Sequence, residues 1–407
     1  MKKAYIFNTG CIRRALDSTR IYDYLLKNGW AFTNNISIAD LVIIGTCGTI
    51  KKNENLSIIA IKKITKKVSK FATVIITGCL PKINPDVIND IGDFIFVPTR
   101  DLYKFDEILN SKVKYADTPD VNMVTNDANI LNYVLAYRLF RNSYSIKIYS
   151  RLSTSGTFLK LCLISSNISN YIKSKLGLVQ RQKIIPYYNL RIAEGCLGKC
   201  TYCAIRFSTG LLESKPIEKI MIEFKKGLSK GYQYFQLICE DTGCYGLDIG
   251  TTIIELLKKM LEIEGDYKII IIDFGPQWLV KYYDELLPLL KKHHSTIREL
   301  FVSLQAGSNK VLKAMKRPYE IESVKEKLID IKKQIPEINL RTTVIIGFPG
   351  ETVEDFMKTV DAVQTIDFSE VQLNKYEDRP GTVSEAMDNK VPQKEIERRY
   401  RIIKNCR

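Results

Sequence analysis

The chain has 407 residues, of which 45% are hydrophobic, enough for two or three domains with their own cores. Its 61 basic and 45 acidic residues give a formal net charge of +16, which favours binding to polyanions such as nucleic acid. The sequence shows neither an apolar run of about 18 residues nor a signal-peptide pattern, and its ten cysteines include metal-type spacing, so we expect no transmembrane segment and a reducing, cytoplasmic location.

Three cysteines near the amino terminus each follow a short β-branched run. Cys11, Cys47 and Cys79 (the N-terminal triad) come after segments that are typical of buried parallel strands, and residues 15–28 and 52–70 between them predict helices. Open parallel sheets bind ligands outside the carboxyl ends of their strands, so the three thiols are expected to meet at one edge. This convergence favours a metal cluster. The alternative is that each thiol is a small buried hydrophobic side chain.

A fourth strand at 94–97 and a helix after Asp101 complete a predicted parallel βαβ domain over residues 1–110. Residues 111–187 are predicted to be a linker or insert. From Ile130 to Tyr187 there are nine Lys or Arg and no Asp or Glu, with six Tyr and two Phe. This mixture favours contact with RNA through phosphate neutralisation and base stacking. An amphipathic face on anionic lipid and a solvated insert packed on the next domain are the alternatives.

Residues 188–377 contain six predicted strand–helix units, which indicate a partial (β/α)6 barrel with its catalytic groups at the carboxyl ends of the strands. Apolar residues at helical spacing after Pro216 predict the clearest of the intervening helices. Residues 378–407 are polar and charged, and predict a closing loop and helix. The predicted strands are Asn189–Ala193, Tyr234–Cys239, Lys268–Asp273, Glu299–Leu304, Asn339–Ile346 and Ser369–Lys375.

Cys196, Cys200 and Cys203 (the barrel triad) follow the first barrel strand with the spacing C-x3-C-x2-C. Three thiolates on one short loop can ligate three irons of a [4Fe–4S] cluster and leave the fourth iron open to a substrate or cofactor. A structural zinc site is the alternative. It needs four ligands, yet no second cysteine pair lies nearby and the chain has only two histidines. Cys239 reads as a core residue, whereas Cys244 could approach this triad.

These features resemble the radical-SAM (S-adenosylmethionine) methylthiotransferase family, in which a domain with three cluster-binding cysteines precedes a radical-SAM barrel. The resemblance spans nearly the whole chain, and the run Glu240–Gly250 is most similar to the branch that modifies threonylcarbamoyladenosine in tRNA. The family's usual C-terminal RNA-binding domain, called TRAM, is expected to be absent, and the segment joining the two cluster domains is longer than is typical. The other matching runs are Asn8–Cys11, Ala39–Cys47, Thr77–Leu80, Gly195–Cys203, Gln305–Ser308, Val311–Met315, Ile346–Glu351 and Arg379–Thr382.

The resemblance implies an enzyme with two [4Fe–4S] clusters that inserts a methylthio group into a C–H bond. The barrel triad would hold the cluster that binds SAM and, with an electron from a reductase such as flavodoxin or ferredoxin, yields a 5′-deoxyadenosyl radical. The N-terminal triad would hold the cluster that carries the sulfur, which a sulfur donor supplies and a second SAM methylates. The expected substrate is N6-threonylcarbamoyladenosine beside the anticodon of tRNA. The alternatives are a protein or ribosomally made peptide, or a non-catalytic metal protein that binds RNA.

The resemblance and the strand-end positions also suggest contacts with SAM. The two acidic residues at 240 and 241 could bind its ammonium group, Gln305 its ribose, and Arg341 its carboxylate unless it lies in an ion pair. The remaining residues would line the adenine. The candidate contacts are Tyr202, Glu240, Asp241, Gln305, Arg341, Ile345 and Gly347.

Overall fold

The computed structural model describes residues 1–125, 130 and 187–406. The chain divides into two compact units, Met1–Ile185 and Pro186–Arg407. Almost all of the basic, aromatic stretch singled out by the sequence lies outside the described residues. Among the helices that are described, none is long and apolar enough to cross a bilayer.

The first unit is built on a five-stranded parallel sheet in the order β2-β1-β3-β4-β5, which confirms the predicted α/β class. The strand β2 was not predicted, because two residues are too short to show a periodicity. The strands are β1 Lys3–Asn8, β2 Ala31–Phe32, β3 Leu41–Thr46, β4 Thr73–Gly78 and β5 Ile95–Pro98. The helices are α1 Ile12–Lys27, α2 Lys51–Thr65, α3 Leu80–Ile83, α4 Asp86–Asn89 and α5 Phe105–Ile108.

The central strand β3 is buried on both faces, which explains its continuous apolar run. Leu41 and Ile43 belong to the core cluster that includes residues of α1, whereas Val42 and Ile44 belong to a second cluster that includes residues of α2. Each such side chain contributes about 1.5–3 kcal/mol on burial. The two apolar faces therefore fix the register of the strands whose carboxyl ends carry the N-terminal triad.

Residues 111–125, which the sequence assigned to the insert, contact helix α1 of the first unit. Arg20 donates to the backbone carbonyl of Thr118 at 2.8 Å and pairs with Asp120 at 2.8 Å. Tyr24 donates to Ser111 at 2.5 Å. These contacts extend the packed part of the first unit beyond residue 110.

The second unit contains a six-stranded parallel sheet in the order β13-β12-β11-β10-β9-β6, which confirms the predicted succession of barrel strands. All neighbouring strands of this sheet pair in parallel, so all the carboxyl ends lie along one edge. The strands are β6 Tyr188–Arg191, β7 Ala193–Glu194, β8 Glu213–Ser214, β9 Tyr234–Ile238, β10 Lys268–Phe274, β11 Ile297–Gln305, β12 Asn339–Ile346 and β13 Glu370–Lys375, with β7 and β8 forming a separate antiparallel pair.

The helices of the second unit alternate with these strands, and the last one packs back on the sheet. Ile403 of the final helix is buried in one cluster with Val344 and Ile346 of β12, which agrees with the predicted closing helix. The helices are α6 Ile205–Thr209, α7 Ile217–Ser229, α8 Ile253–Leu261, α9 Pro276–Lys292, α10 Asn309–Ala314, α11 Ile321–Gln334, α12 Val353–Ile366 and α13 Gln393–Asn405.

Candidate functional site

The N-terminal triad lies at the carboxyl edge of the first sheet. Cys11, Cys47 and Cys79 follow β1, β3 and β4, which are adjacent strands in the sheet. Their ends are level, because Asn8 pairs with Gly45 and the amide of Cys79 donates to the Thr46 carbonyl at 3.1 Å. The structure therefore brings these three segments to one edge, as the sequence predicted.

The Cys47 thiol lies in a polar pocket of its own loop. Its sulfur is 3.2 Å from the Thr49 hydroxyl and 3.6 Å from the Asn53 amide nitrogen, and its backbone N–H donates to Ser57 at 3.0 Å. Burial raises the pKa of Cys47, and the nearby Cys11 thiol raises it further. The polar neighbours at the sulfur would stabilise a thiolate once a metal displaced the proton.

The barrel triad lies on the loop that leaves the first strand of the second unit. The amide of Thr201 donates to Met315 at 3.1 Å, and the Thr201 hydroxyl donates to Ala314 at 2.9 Å, so the end of α10 anchors the middle of this loop. The amide of Gly198 donates to the Cys196 sulfur at 3.1 Å. A Cβ at Gly198 would stand 3.1 Å from that sulfur and 3.7 Å from the sulfur of Cys200, so a side chain here would crowd the Cys196 thiol.

The thiols of the barrel triad differ in their electrostatic surroundings. A hydrogen-bonding contact with Cys244 lowers the pKa of Cys196, whereas burial and the neighbouring Cys200 raise the pKa of Cys203 to about 11. Cys244 itself is fully buried and donates to the backbone carbonyl of Asp241 at 3.0 Å. Cys244 therefore approaches this triad, as the sequence suggested.

Both triads have the donor chemistry that a [4Fe–4S] cluster requires, namely three thiols gathered on adjoining backbone segments. Within residues 1–125 and 187–406, no three Cys, His, Asp or Glu side chains stand at the mutual distances that hold a single metal ion.

The triad loop and the loop after β12 meet through aromatic side chains. The Tyr202 ring lies edge-on to the Phe348 ring, 6.4 Å between centroids, and burial holds the pKa of Tyr202 well above its ordinary value. Gly347 has φ +81°, and its amide donates to Glu351 at 2.8 Å. Ile345 is half-buried two residues before it. Two of the predicted adenine-side residues, Tyr202 and Gly347, thus lie on two loops that touch, and the third, Ile345, lies at the end of β12.

The two acidic residues after β9 have different roles. One carboxylate oxygen of Glu240 accepts from the amide of Gly195 at 2.9 Å, which ties the start of the triad loop to the end of β9. Asp241 is buried, and both of its carboxylate oxygens accept two hydrogen bonds. One accepts from the backbone amides of Gly243 and Gly275, and the other accepts from the Gln277 side-chain amide at 3.1 Å and the Trp278 indole at 2.7 Å.

Asp241 therefore joins the loops that follow β9 and β10, and its contact with the SAM ammonium group stays a prediction. Four donors already occupy its oxygens. Burial raises its pKa, although the indole, Arg317 and the backbone amides act in the opposite direction. A carboxylate held in this way stabilises the loops.

Gln305 and Arg341 lie at opposite ends of their strands. Gln305 ends β11 with φ +69°, a strained conformation that proteins retain where function requires it. Arg341 is the third residue of β12, and its guanidinium pairs with Glu299 and, at 3.0 Å, with Glu370. These partners are near the amino ends of β11 and β13, so Arg341 lies in an ion pair, which the sequence left open as the alternative to a contact with the SAM carboxylate.

The structure places a different arginine beside the triad. Arg317 follows α10; its Nη1 donates to the Cys200 sulfur at 3.4 Å and its Nη2 to the Ser303 carbonyl at 2.9 Å. Burial opposes its charge, but Tyr202, Tyr319 and Cys200 raise its pKa above the ordinary value. Arg317 was not among the residues predicted from the sequence; the available signal was its position two residues beyond the matching run Val311–Met315.

Sequence profiles of two families match the chain in the two units. The profile described as "Radical SAM superfamily" matches residues 190–363, and that described as "Uncharacterized protein family UPF0004" matches residues 3–96. The first match contains the barrel triad and the second contains the N-terminal triad. Each cysteine triad therefore lies within the residues that one family profile matches.

Relatives that are named as methylthiotransferases match nearly the whole chain. The probable threonylcarbamoyladenosine tRNA methylthiotransferase of Pyrococcus horikoshii is 30% identical over 410 residues, covering 100% of this chain and 84% of that protein. A ribosomal protein uS12 methylthiotransferase of Clostridium perfringens is 30% identical over 395 residues, covering 96% and 78%. The structure of the radical S-adenosylmethionine methyltransferase TsrM from Kitasatospora setae has a TM-score of 0.61 at 12% identity, covering 95% and 77%, and so shares the fold.

Proposed function

Because the chain belongs to the radical-SAM methylthiotransferase family, which uses a [4Fe–4S] cluster and SAM, we propose that it methylthiolates N6-threonylcarbamoyladenosine in tRNA beside the anticodon. The observation that carries the proposal is the pair of cysteine triads, each at the carboxyl edge of its own parallel sheet. One set of thiols serves radical generation. The other serves delivery of sulfur.

In this proposal the barrel triad holds the first cluster and the N-terminal triad a second one. When bound, the first cluster and SAM supply the 5′-deoxyadenosyl radical that removes hydrogen from the substrate carbon. Glu240 keeps the triad loop at the end of β9, and Tyr202 with the Gly347 loop lines the adenine side. Gln305, strained at the end of β11, is available to the ribose.

The choice of tRNA as substrate is supported by the names of several relatives and by charge. Relatives from Pyrococcus horikoshii and Methanocaldococcus jannaschii carry the tRNA activity in their names. The net charge of +16, and the stretch from Ile130 to Tyr187 with nine cations, suit a phosphate backbone. A reductase and a sulfur donor complete the proposed partners.

The second candidate substrate is a residue of ribosomal protein uS12. It is supported by relatives of similar identity that bear this name, including those of Protochlamydia amoebophila and Clostridium perfringens. The chemistry would be the same, and only the recognised macromolecule would differ. The two substrates can therefore be compared directly with one enzyme preparation.

The test is to incubate the anaerobically reconstituted enzyme, SAM, sulfide and a reductant with two substrates in parallel. One is an anticodon stem-loop that bears threonylcarbamoyladenosine, and the other is uS12. Mass spectrometry should show a methylthio group replacing a hydrogen on the nucleoside and no change in uS12. An unmodified-adenosine stem-loop is the matched control. Modification of uS12 with an unchanged nucleoside would overturn the tRNA proposal in favour of the second candidate.

A further inference from the structure

Arg317 is a cation whose guanidinium contacts a thiol of the barrel triad. Its guanidinium donates to the Cys200 sulfur at 3.4 Å and to the Ser303 carbonyl at 2.9 Å, and it lies over the Tyr319 ring at 5.5 Å. Within the described residues its hydrogen bonds go to these two acceptors, its shielded Nε has no hydrogen-bond partner, and the buried carboxylate of Asp241 interacts with its charge without forming a close ion pair. A half-buried charge without a close counter-charge is costly unless the site itself supplies one.

Other arginines of the second unit contrast with Arg317. Arg341 pairs with two glutamates, and Arg399 with Glu351 and Glu395. Among the described residues Arg317 has no such direct carboxylate partner, and Asp241 acts on it without a close ion pair. Three thiolates around an iron–sulfur cluster would provide a direct one, because their combined charge is negative and Cys200 is already in contact.

We propose that Arg317 sets the reduction potential of the cluster on the barrel triad by donating a charged hydrogen bond to the Cys200 sulfur. The inference rests on the proposed ligand role of that triad. Reduction adds one electron, and hence one negative charge, to the cluster. A fixed cation at a ligand sulfur stabilises the reduced form more than the oxidised form, and so raises the potential. Arg317 is thus a positioning and tuning residue that eases electron entry before SAM cleavage.

Neutral groups beside the barrel triad should also raise the reduction potential of the cluster, but by less than Arg317 does. The Gly198 amide donates to the Cys196 sulfur at 3.1 Å, and the Cys244 thiol, which donates to the Asp241 carbonyl at 3.0 Å, is the neutral group that acts on Cys196 from outside the triad. Hydrogen bonds that involve a charged group are roughly twice as strong as neutral ones. Loss of Arg317 should therefore shift the potential more than loss of Cys244.

The experiment measures the potential of this cluster alone, in the full chain. Replacing Cys11, Cys47 and Cys79 with Ala removes the other thiol set, and the remaining cluster is titrated with dithionite and followed by electron paramagnetic resonance without SAM. Arg317→Gln should lower the ratio of reduced to oxidised cluster about tenfold at a fixed ambient potential, which is about 59 mV for a one-electron couple. Cys244→Ala should shift it less. Arg298→Gln, which removes an exposed cation, should leave it unchanged.

Arg317→Lys is a second variant, which is measured in case Arg317→Gln does not retain its iron. This variant keeps the charge but loses the fork that reaches both Cys200 and Ser303, so an intermediate potential is expected. An unchanged potential in an iron-loaded Arg317→Gln or Arg317→Lys variant would overturn the inference. The variant with Cys11, Cys47 and Cys79 changed to Ala is tested for iron before any titration. If it held no iron, the barrel triad would not be a cluster ligand set, and the inference would be overturned together with the proposed function.

Discussion

A buried ion pair connects the closing helix α13 to the loop after β12, and its removal should be costly. Arg399 and Glu351 are 2.7 Å apart, with side chains 4% and 1% exposed. The same guanidinium nitrogen donates to the Glu351 carbonyl at 3.0 Å, while Gly347 donates its amide to the carboxylate at 2.8 Å. Arg399→Gln would leave the carboxylate buried with that one donor.

The expected loss in the free energy of unfolding is about 3–5 kcal/mol, the usual result of removing one partner from a buried pair. Arg398→Gln is a matched control on the same helix. Arg398 also contacts Glu395, at 2.7 Å, but it is 53% exposed, so its loss should cost at most about 1 kcal/mol.

Tryptophan fluorescence gives a signal from the second unit alone. The chain has two tryptophans, and in a Trp30→Phe background only Trp278, which lies in α9, reports urea unfolding. A second measurement follows the Kd for SAM, because the Gly347 loop is held by the same carboxylate. We expect weaker SAM binding in Arg399→Gln, and SAM binding equal to that of the parent in Arg398→Gln.

The pH dependence identifies the buried carboxylate as the cause. Burial raises the pKa of Glu351 above its ordinary 4.5 even with Arg399 present, and loss of Arg399 should raise it further. A carboxyl with a raised folded-state pKa destabilises the protein most above that pKa, where it is charged. The difference between Arg399→Gln and the parent should therefore shrink as the pH falls toward 4.5. Equal losses for the two arginine variants at all pH values would refute this reasoning.

Three further predictions concern the thiols and the Gly347 loop. The reconstituted protein should hold about eight irons per chain and about four after the barrel triad is changed to Ala, by iron analysis; four in the parent would contradict the two-cluster proposal. Cys244→Ala should keep the full iron content, because its thiol contacts Cys196 from outside the triad; a loss of half the iron would make it a ligand. Gly347→Ala should raise the Kd for SAM by calorimetry, because φ is +81° and a Cβ would meet Ile396; unchanged affinity would exclude this loop.

The sequence predicts the sheets well because their signals are local. The run Leu41–Thr46 is apolar and β-branched since both faces of β3 are buried, and the cysteine that follows it must leave the strand at the carboxyl edge. The spacing of the barrel triad is likewise contained in eight residues. Neither inference needs knowledge of distant contacts.

The contacts that the sequence did not show join partners that are far apart in the chain. Three of the four donors to Asp241 are 34–37 residues away, and Arg317 reaches a sulfur 117 residues away. A hydrophobic periodicity reports only on neighbouring residues and cannot indicate such pairs. For Arg341 the sequence left an ion pair and a contact with SAM as alternatives, and its place in β12 beside the glutamates of β11 and β13 explains the ion pair.

The central claim is that the two triads perform separate steps of one reaction. The most direct measurement quantifies 5′-deoxyadenosine and methylthiolated nucleoside together, in the full chain with Cys11, Cys47 and Cys79 changed to Ala. The account predicts that 5′-deoxyadenosine still forms and that methylthiolation of the stem-loop is lost. Continued methylthiolation by this variant would show that the N-terminal thiols are structural, and would contradict the claim.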